Sequence, residues 1–229
     1  SGPKSELPEE SGGWCDYMVE LEFFRSMPEG IRKDAWFLTK VTMTGQERNP
    51  ETGRYPLLDW DDPATNQKHP YWKKNIESSD WVFNYNDGYY ETKGISSASG
   101  KTRMIFRYAD ILLLYAEAVA YGSKNIDDLA FDCMWRVQKR AGVPLISKDV
   151  TKAYFQKAVL DERRWETAGM EHSCMGRFFT MQRHEILHLQ KNYRDAAELS
   201  LNPNLTLSEE FYYFPIPDNE LLIVPGLKD

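Results

Sequence analysis

Long hydrophobic segments, basic clusters and paired cysteines are all lacking in this sequence. No run approaches the roughly 18 apolar residues of a membrane-spanning helix, so no transmembrane segment is predicted. The formal net charge is −7, and no stretch forms the basic stripe that is typical of nucleic-acid binding. Cys15, Cys133 and Cys174 lack CxxC spacing. They are predicted to be buried thiols rather than a disulfide pair with one cysteine left over.

Aromatic residues are abundant, and many lie among turn-forming and charged residues in positions 1–100. The sequence contains 7 Trp and 13 Tyr, and segments such as DWDDPATN and YNDGYY have strong turn chemistry. A flat ring offers its face to the C–H side of a sugar, while neighbouring Asp and Asn side chains hydrogen-bond the hydroxyls. Each ring taken alone fits loop packing. As a group, five rings are predicted to bind ligand: Trp60, Tyr71, Trp72, Trp81 and Tyr85.

From Lys101 onward the pattern is helical. Residues 104–121 are apolar almost all round, which predicts a central, buried helix. A second helix ends at Gly142 and is predicted to bury a stripe that includes Ile126, Leu129 and Val137. Two more helices are predicted at 150–167, with Tyr154 among its buried residues, and at 175–190. The tail FYYFPIPDNELLIVPG is predicted to lie extended over the body because its prolines exclude a continuous helix.

These patterns divide the chain into two parts of one continuous domain. Residues 1–100 form a loop-rich part, with a short helix predicted within 16–24 and a strand within 36–43. Residues 101–229 form a helical core with the extended tail.

The sequence HEILH at 184–188 is a literal H-E-x-x-H pattern on a predicted helix. Two histidines at i and i+4 share a helical face and can bind Zn²⁺, with the glutamate as general base. This would make the chain a zinc-dependent hydrolase that uses His184, Glu185 and His188. The extended protease pattern, however, needs Gly and His where Lys191 and Arg194 stand, so a surface helix with two histidines is the preferred interpretation.

Clustered carboxylates suggest a second enzymatic hypothesis, a glycosidase. Asp161, Glu162 and Glu166 lie within about one turn of each other, and a glycosidase needs two carboxylates that flank its substrate. They are interleaved with Arg163 and Arg164, which favours intrahelical and interhelical ion pairs.

Five ordered blocks resemble the C-terminal region of the RagB/SusD family. The family helix R-Y-A-E-x-L-L-x-Y-A-E-A is matched by RYADILLLYAEA (107–118), and V-x-x-R-A-G by VQKRAG (137–142). The block E-R-R-W-E-x-A-G is matched by ERRWETAG (162–169), R-x-F-D-L-x-R-W by RFFTMQRH (177–184), and F-P-I-P-x-x-E by FPIPDNE (214–220). Thr180 and His184 depart from the family pattern.

The resemblance implies a mainly α, SusD-like helical fold with long irregular loops and few short strands, whose N-terminal tetratricopeptide-like half is absent from this chain. It implies a non-catalytic, surface-exposed outer-membrane protein with a lipid anchor that is not in this chain. The ligand would be a glycan, or alternatively a peptide, delivered to a SusC-like TonB-dependent transporter. No cofactor, catalytic residue, metal site or nucleic-acid partner is implied.

Overall fold

The fold is given by a computed structural model of the chain. It describes residues 19–42, 47, 49–51, 57–65, 69–72, 81–84, 89–92, 105–169, 171–189, 194–201, 215–224 and 226. The helices within these ranges are α1 (Leu21–Ser26), α2 (Ile31–Trp36), α3 (Tyr108–Tyr121), α4 (Asp128–Ala141), α5 (Lys152–Thr167), α6 (Glu171–Arg183), α7 (Ala196–Leu201) and α8 (Asp218–Ile223).

Short antiparallel strand pairs lie ahead of the long helices in the chain. The strands are β1 (Phe37–Leu38), β2 (Lys40–Thr42), β3 (Leu57–Asp59), β4 (Tyr71–Trp72), β5 (Trp81–Asn84) and β6 (Tyr89–Thr92). β1 pairs with β4, β2 with β3, and β5 with β6. The strand predicted within 36–43 is therefore present as β1 and β2, and the short helix predicted at 16–24 is α1, displaced by a few residues.

Helix α3 is the central element of the larger core, where it packs against both α4 and α5. Leu113, Ala116 and Ala120 are fully buried on this side of α3, and they meet Phe155 and Val159 of α5 in one hydrophobic cluster. Small alanines on a packed face allow the neighbouring helix axes to approach closely, which explains the tight three-helix layer.

The prediction for α3 was wrong in two respects. The helix begins at Tyr108 rather than at residue 104, because the Asp110 carboxylate accepts a hydrogen bond from the Arg107 backbone N–H at 2.8 Å and fixes the first turn there. It is also buried on one side only, since Tyr108 and Ile111 are exposed.

The ends of α4 and α5 follow from local capping chemistry. Asp127 caps α4 by accepting a hydrogen bond from the Ala130 N–H at 2.8 Å, and Gly142 ends it in the left-handed conformation. Thr151 caps α5 in the same way as Asp127 caps α4. Two residues that were predicted in the buried stripes are instead exposed: Leu129 and Tyr154.

A second, aromatic cluster joins the N-terminal elements to the end of α5. Val19, Phe23, Met27, Trp36 and Phe37 are buried there, with Trp72 and Trp165 packed against them.

The tail differs from the predicted extended segment. Residues 215–217 are extended as expected, but the next residues form α8, which begins directly after Pro217. Proline is compatible with the start of a helix because the first turn needs no N–H donor. No residue of α8 is buried, so this helix does not lie packed over the body.

Candidate functional site

Of the three carboxylates that a glycosidase interpretation would use, two are buried, and Asp161 is partly exposed and paired with Lys157. Glu162 and Glu166 on α5 are 1% and 2% exposed. The Glu166 carboxylate accepts hydrogen bonds from Arg107 at 2.8 Å and Arg140 at 2.5 Å. Arg32 of α2 contacts both Glu162 and Glu166. This group is called the Glu166 cluster below, and it confirms the interpretation of these residues as interhelical ion pairs.

Burial determines the electrostatics of the Glu166 cluster. It raises the pKa of Glu162 above its usual range, and the positive charge of Arg32 opposes that rise. Each glutamate is surrounded by guanidinium groups and helix backbone, which leaves no space for the substrate that a glycosidase pair must flank. The Glu166 cluster therefore links helices to one another. The arginines that pair with these glutamates were not identified from the sequence.

A second buried cluster surrounds Glu117 on α3. Its carboxylate contacts Arg163 of α5, accepts a hydrogen bond from Arg183 at 2.6 Å, and lies 2.8 Å from His184 Nε2. The His184 ring also stacks on Tyr121, with 3.9 Å between centroids. His184 is therefore part of the packing between α3 and the end of α6.

The H-E-x-x-H pattern does not have the helical geometry that a zinc hydrolase requires. Helix α6 ends at Arg183 rather than near residue 190, and Glu185 adopts a left-handed φ of 55°. His188 follows in a separate short turn and is exposed, whereas His184 is directed at Glu117. The two imidazoles consequently do not share one helical face. No group of three or more His, Cys, Asp or Glu side chains within the described residues is arranged to hold a metal ion.

The environment of the Glu117 cluster shifts two pKa values. Burial lowers the pKa of His184, and Arg183, Arg163 and Arg177 lower it further. The neutral imidazole can still donate its Nε2–H to Glu117. Burial also lowers the pKa of Arg163 to about 10.

Of the five predicted ligand-binding rings, one packs against the aromatic cluster and its neighbour in the chain is buried. Tyr71 is buried on β4, where it pairs with Leu38 of β1. Trp72 is half-buried, with its ring 5.1 Å from that of Phe37. The charged residues that flank Trp72 in the sequence give no sign of this packing against the core.

Trp60 lies in a different setting, on a tight turn that we call the Trp60 turn (residues 59–65). Thr65 is buried and its hydroxyl donates to the Trp60 carbonyl at 2.9 Å, while the Trp60 N–H donates to the Thr39 carbonyl at 2.9 Å. The ring is partly exposed and makes an edge contact with Phe24 at 5.6 Å. Asp59 and Asp61 beside it are exposed. The turn thus holds one partly exposed ring next to two carboxylates.

The remaining predicted rings are less fully described. Trp81 lies at the start of β5, where only the backbone is described, and Tyr85 lies outside the described residues. Cys133 is a buried free thiol, as predicted. The side chains of Cys15 and Cys174 lie outside the described part.

Comparisons with known proteins agree on one family. A model of the SusD family matches residues 1–229. The chain is similar to the solved structure of a SusD superfamily protein from Parabacteroides distasonis ATCC 8503, at 18% identity and a TM-score of 0.59, over 91% of this chain and 40% of that one. A SusD superfamily protein from Bacteroides vulgatus ATCC 8482 is similar at 19% identity and a TM-score of 0.59, over 97% of this chain and 46% of the other.

These matches confirm the predicted mainly α, SusD-like fold. The chain spans less than half the length of either solved relative. No curated protein matches it. Among the described helices, none is both long and apolar enough to cross a membrane.

Proposed function

This chain belongs to the SusD family, and on that premise we propose that it is part of a nutrient-binding protein that captures its ligand without transforming it. The burial and arginine pairing of the acidic residues in the family blocks support a binding role over catalysis. Glu117, Glu162 and Glu166 are buried and paired with arginine. A general acid or nucleophile must reach its substrate, and these carboxylates are occupied in joining helices.

The proposed ligand is a glycan, with a peptide as the alternative. The Trp60 turn offers the chemistry that a sugar needs, since a ring face stacks on C–H groups and Asp59 or Asp61 accepts hydrogen bonds from hydroxyls. The backbone bonds that hold the turn reduce the entropy lost on binding. Function tends to lie on loops that a rigid scaffold positions, and the aromatic cluster provides that scaffold. We propose Trp81 and Tyr85 as further ligand-binding residues.

The proposed setting is the bacterial outer membrane. The protein would be surface-exposed and lipid-anchored, and it would deliver ligand to a SusC-like TonB-dependent transporter. Family membership supports this setting.

Single substitutions in the full-length protein test the binding surface. Polysaccharides and peptides are first screened by isothermal titration calorimetry, and the ligand found is then titrated into Trp60→Ala. We expect about tenfold weaker binding, because one aromatic contact contributes about 1 to 1.5 kcal/mol.

The matched control is Tyr154→Ala, which removes an exposed ring from α5 and should leave affinity unchanged. Circular dichroism must show that both variants are folded. Wild-type affinity in folded Trp60→Ala would place the ligand surface elsewhere, and the absence of any ligand in the screen would contradict the binding role itself.

A further inference from the structure

The Trp60 ring contacts a second aromatic ring that is not among the proposed ligand-binding residues. Phe24 of α1 lies with its ring centroid 5.6 Å from that of Trp60, and the two ring planes meet at 77°. This edge-to-face geometry is favourable because the positive edge of one ring meets the negative face of the other. The contact therefore restricts rotation of the Trp60 side chain.

Phe24 is itself held in place by the elements around it. Its ring makes an edge-to-face contact with Phe37 of β1, at 5.1 Å and 86°. The Lys33 ammonium of α2 lies 4.5 Å from the Phe24 ring centroid, and this lysine side chain is only 8% exposed. Such a contact between a cation and a ring is stronger when the cation is desolvated. Phe24 is consequently a fixed support rather than a mobile surface ring.

The backbone of the Trp60 turn does not provide this support. The hydrogen bonds to Thr39 and from Thr65 fix the main chain of Trp60. Main-chain bonds leave the side-chain torsions of an indole free to change between staggered rotamers. A side chain that remains free in this way loses entropy when a ligand immobilises it.

We propose that Phe24 is a positioning residue for the ligand surface, and that it holds the Trp60 ring in the orientation in which the ring meets a sugar. This inference rests on the proposed function, since it requires that Trp60 contacts the ligand. Phe24 is half-buried beside the aromatic cluster, and it acts on the ligand only through Trp60. It raises affinity because less rotational freedom remains to be lost on binding.

Replacing Phe24 by leucine in the full-length protein tests this role. The probes are hexasaccharides of glucose, mannose, galactose and xylose, and each is titrated by isothermal titration calorimetry. We expect Phe24→Leu to bind about two- to tenfold more weakly than the wild type, which corresponds to the loss of one aromatic pair.

The matched control is Phe23→Leu, which removes the neighbouring ring from the same helix. The described ring contacts of Phe23 are with Phe37 and Trp72. Both variants should lower the melting temperature, because each removes a ring from the packing of α1. Phe23→Leu should nevertheless bind the probes as the wild type does.

A double-mutant cycle separates positioning from a general structural effect. In the Trp60→Ala background, Phe24→Leu should cause no further loss of affinity, because no ring remains to be positioned. A structural effect would lower affinity by the same factor in both backgrounds.

Fluorine NMR of protein labelled with fluorotryptophan examines the ring contact without any ligand. The Trp60 resonance is identified as the one that disappears in Trp60→Phe. Phe24→Leu should shift this resonance, because the magnetic environment of the indole changes when the adjacent ring is removed. Phe23→Leu should leave it in place, and an unshifted resonance in Phe24→Leu would overturn the proposal.

The binding results distinguish this inference from the proposed function. Weaker binding by Trp60→Ala together with wild-type affinity in Phe24→Leu would overturn the positioning role and leave the ligand surface intact. Equal losses from Phe24→Leu in the two backgrounds would also overturn it. Wild-type affinity in Trp60→Ala, or binding of none of the probes, would contradict the proposed glycan surface and the role of Phe24 with it.

Discussion

Two independent constraints require glycine at position 169. Its φ is +65°, in the left-handed region that residues with a Cβ rarely adopt. A Cβ there would also lie 2.5 Å from the Trp72 ring. The glycine that closes ERRWETAG is thus where the chain leaving α5 passes over the aromatic cluster.

We expect Gly169→Ala to lower the free energy of unfolding by about 2 to 4 kcal/mol, as the sum of backbone strain and overpacking. Urea denaturation measures the change. Gly226→Ala is the matched control, because nothing lies within 4 Å of a Cβ at that position, and its effect should be near zero. A loss below about 0.5 kcal/mol in Gly169→Ala would mean that Trp72 moves aside freely.

His184 makes stability depend on pH in a defined direction. Its pKa is lowered in the folded protein from the usual 6.5, mainly by burial, so the unfolded chain binds the proton more tightly. The free energy of unfolding should therefore be highest above pH 6.5 and fall as the pH drops toward the lowered pKa. Urea unfolding between about pH 5 and 8 tests this.

The control for this pH dependence is His184→Asn, which retains an N–H donor but does not titrate. We expect a shallower fall in stability for this variant over the same range. Identical slopes in the two proteins would show that other groups determine the pH dependence.

At the scale of single elements, α3 shows both what periodicity predicts and what it misses. The helix was predicted because its apolar residues are continuous, and its C-terminal end at Gly122 follows the sequence. A helix that is apolar on every side, however, gives no indication of which side meets α4 and α5. The same ambiguity affected Leu129 and Tyr154, whose apolar character fits a buried stripe although both are exposed.

The two sides of α3 should respond differently to truncation in the 229-residue chain. Leu113→Ala removes a fully buried side chain and should cost about 2 to 5 kcal/mol through the cavity it leaves. Ile111→Ala, two positions away on the exposed side, should cost less than about 1 kcal/mol. Chemical denaturation of both variants gives the comparison. Equal losses would mean that the assignment of the two sides is incorrect.

At the scale of the whole molecule, the Glu166 cluster joins elements that are distant in sequence. Glu166 on α5 binds Arg107 before α3, Arg140 on α4 and Arg32 on α2. We expect Glu166→Gln to destabilise the chain by about 1.5 to 3 kcal/mol, because Arg32 and Arg107 each lose one charge-assisted contact although they keep Glu162 and Asp110 as partners.

An exposed ion pair is the matched control for the Glu166 cluster. Lys148 pairs with Asp128, whose side chain is 89% exposed, and Lys148→Ala should change stability by less than about 1 kcal/mol. Thermal denaturation of both variants distinguishes them. If Glu166→Gln were as mild as Lys148→Ala, the cluster would not stabilise the fold.

The sequence predicted the positions of α4 and α5 because periodic apolar residues and stop signals such as Gly142 act locally. The fold class followed from the resemblance to the RagB/SusD family. The sequence also predicted that the carboxylates of α5 form ion pairs. It could not identify Arg32 as a partner, since that contact depends on how α2 docks on α5. It likewise did not distinguish Trp72 from Trp60, because both rings have charged neighbours in the chain and only tertiary packing places one in the core.

The contact between α2 and α5 also affects the order in which the chain can fold during synthesis. Arg32 and Glu166 are 134 positions apart, so during synthesis the guanidinium leaves the ribosome long before its carboxylates exist. At about 5 to 20 residues per second this interval is roughly 7 to 27 s. For that period the aromatic residues around Phe23 and Phe37 lack the end of α5 that covers them. The packing around Phe23 and Phe37 is therefore completed only after α5 has been synthesised.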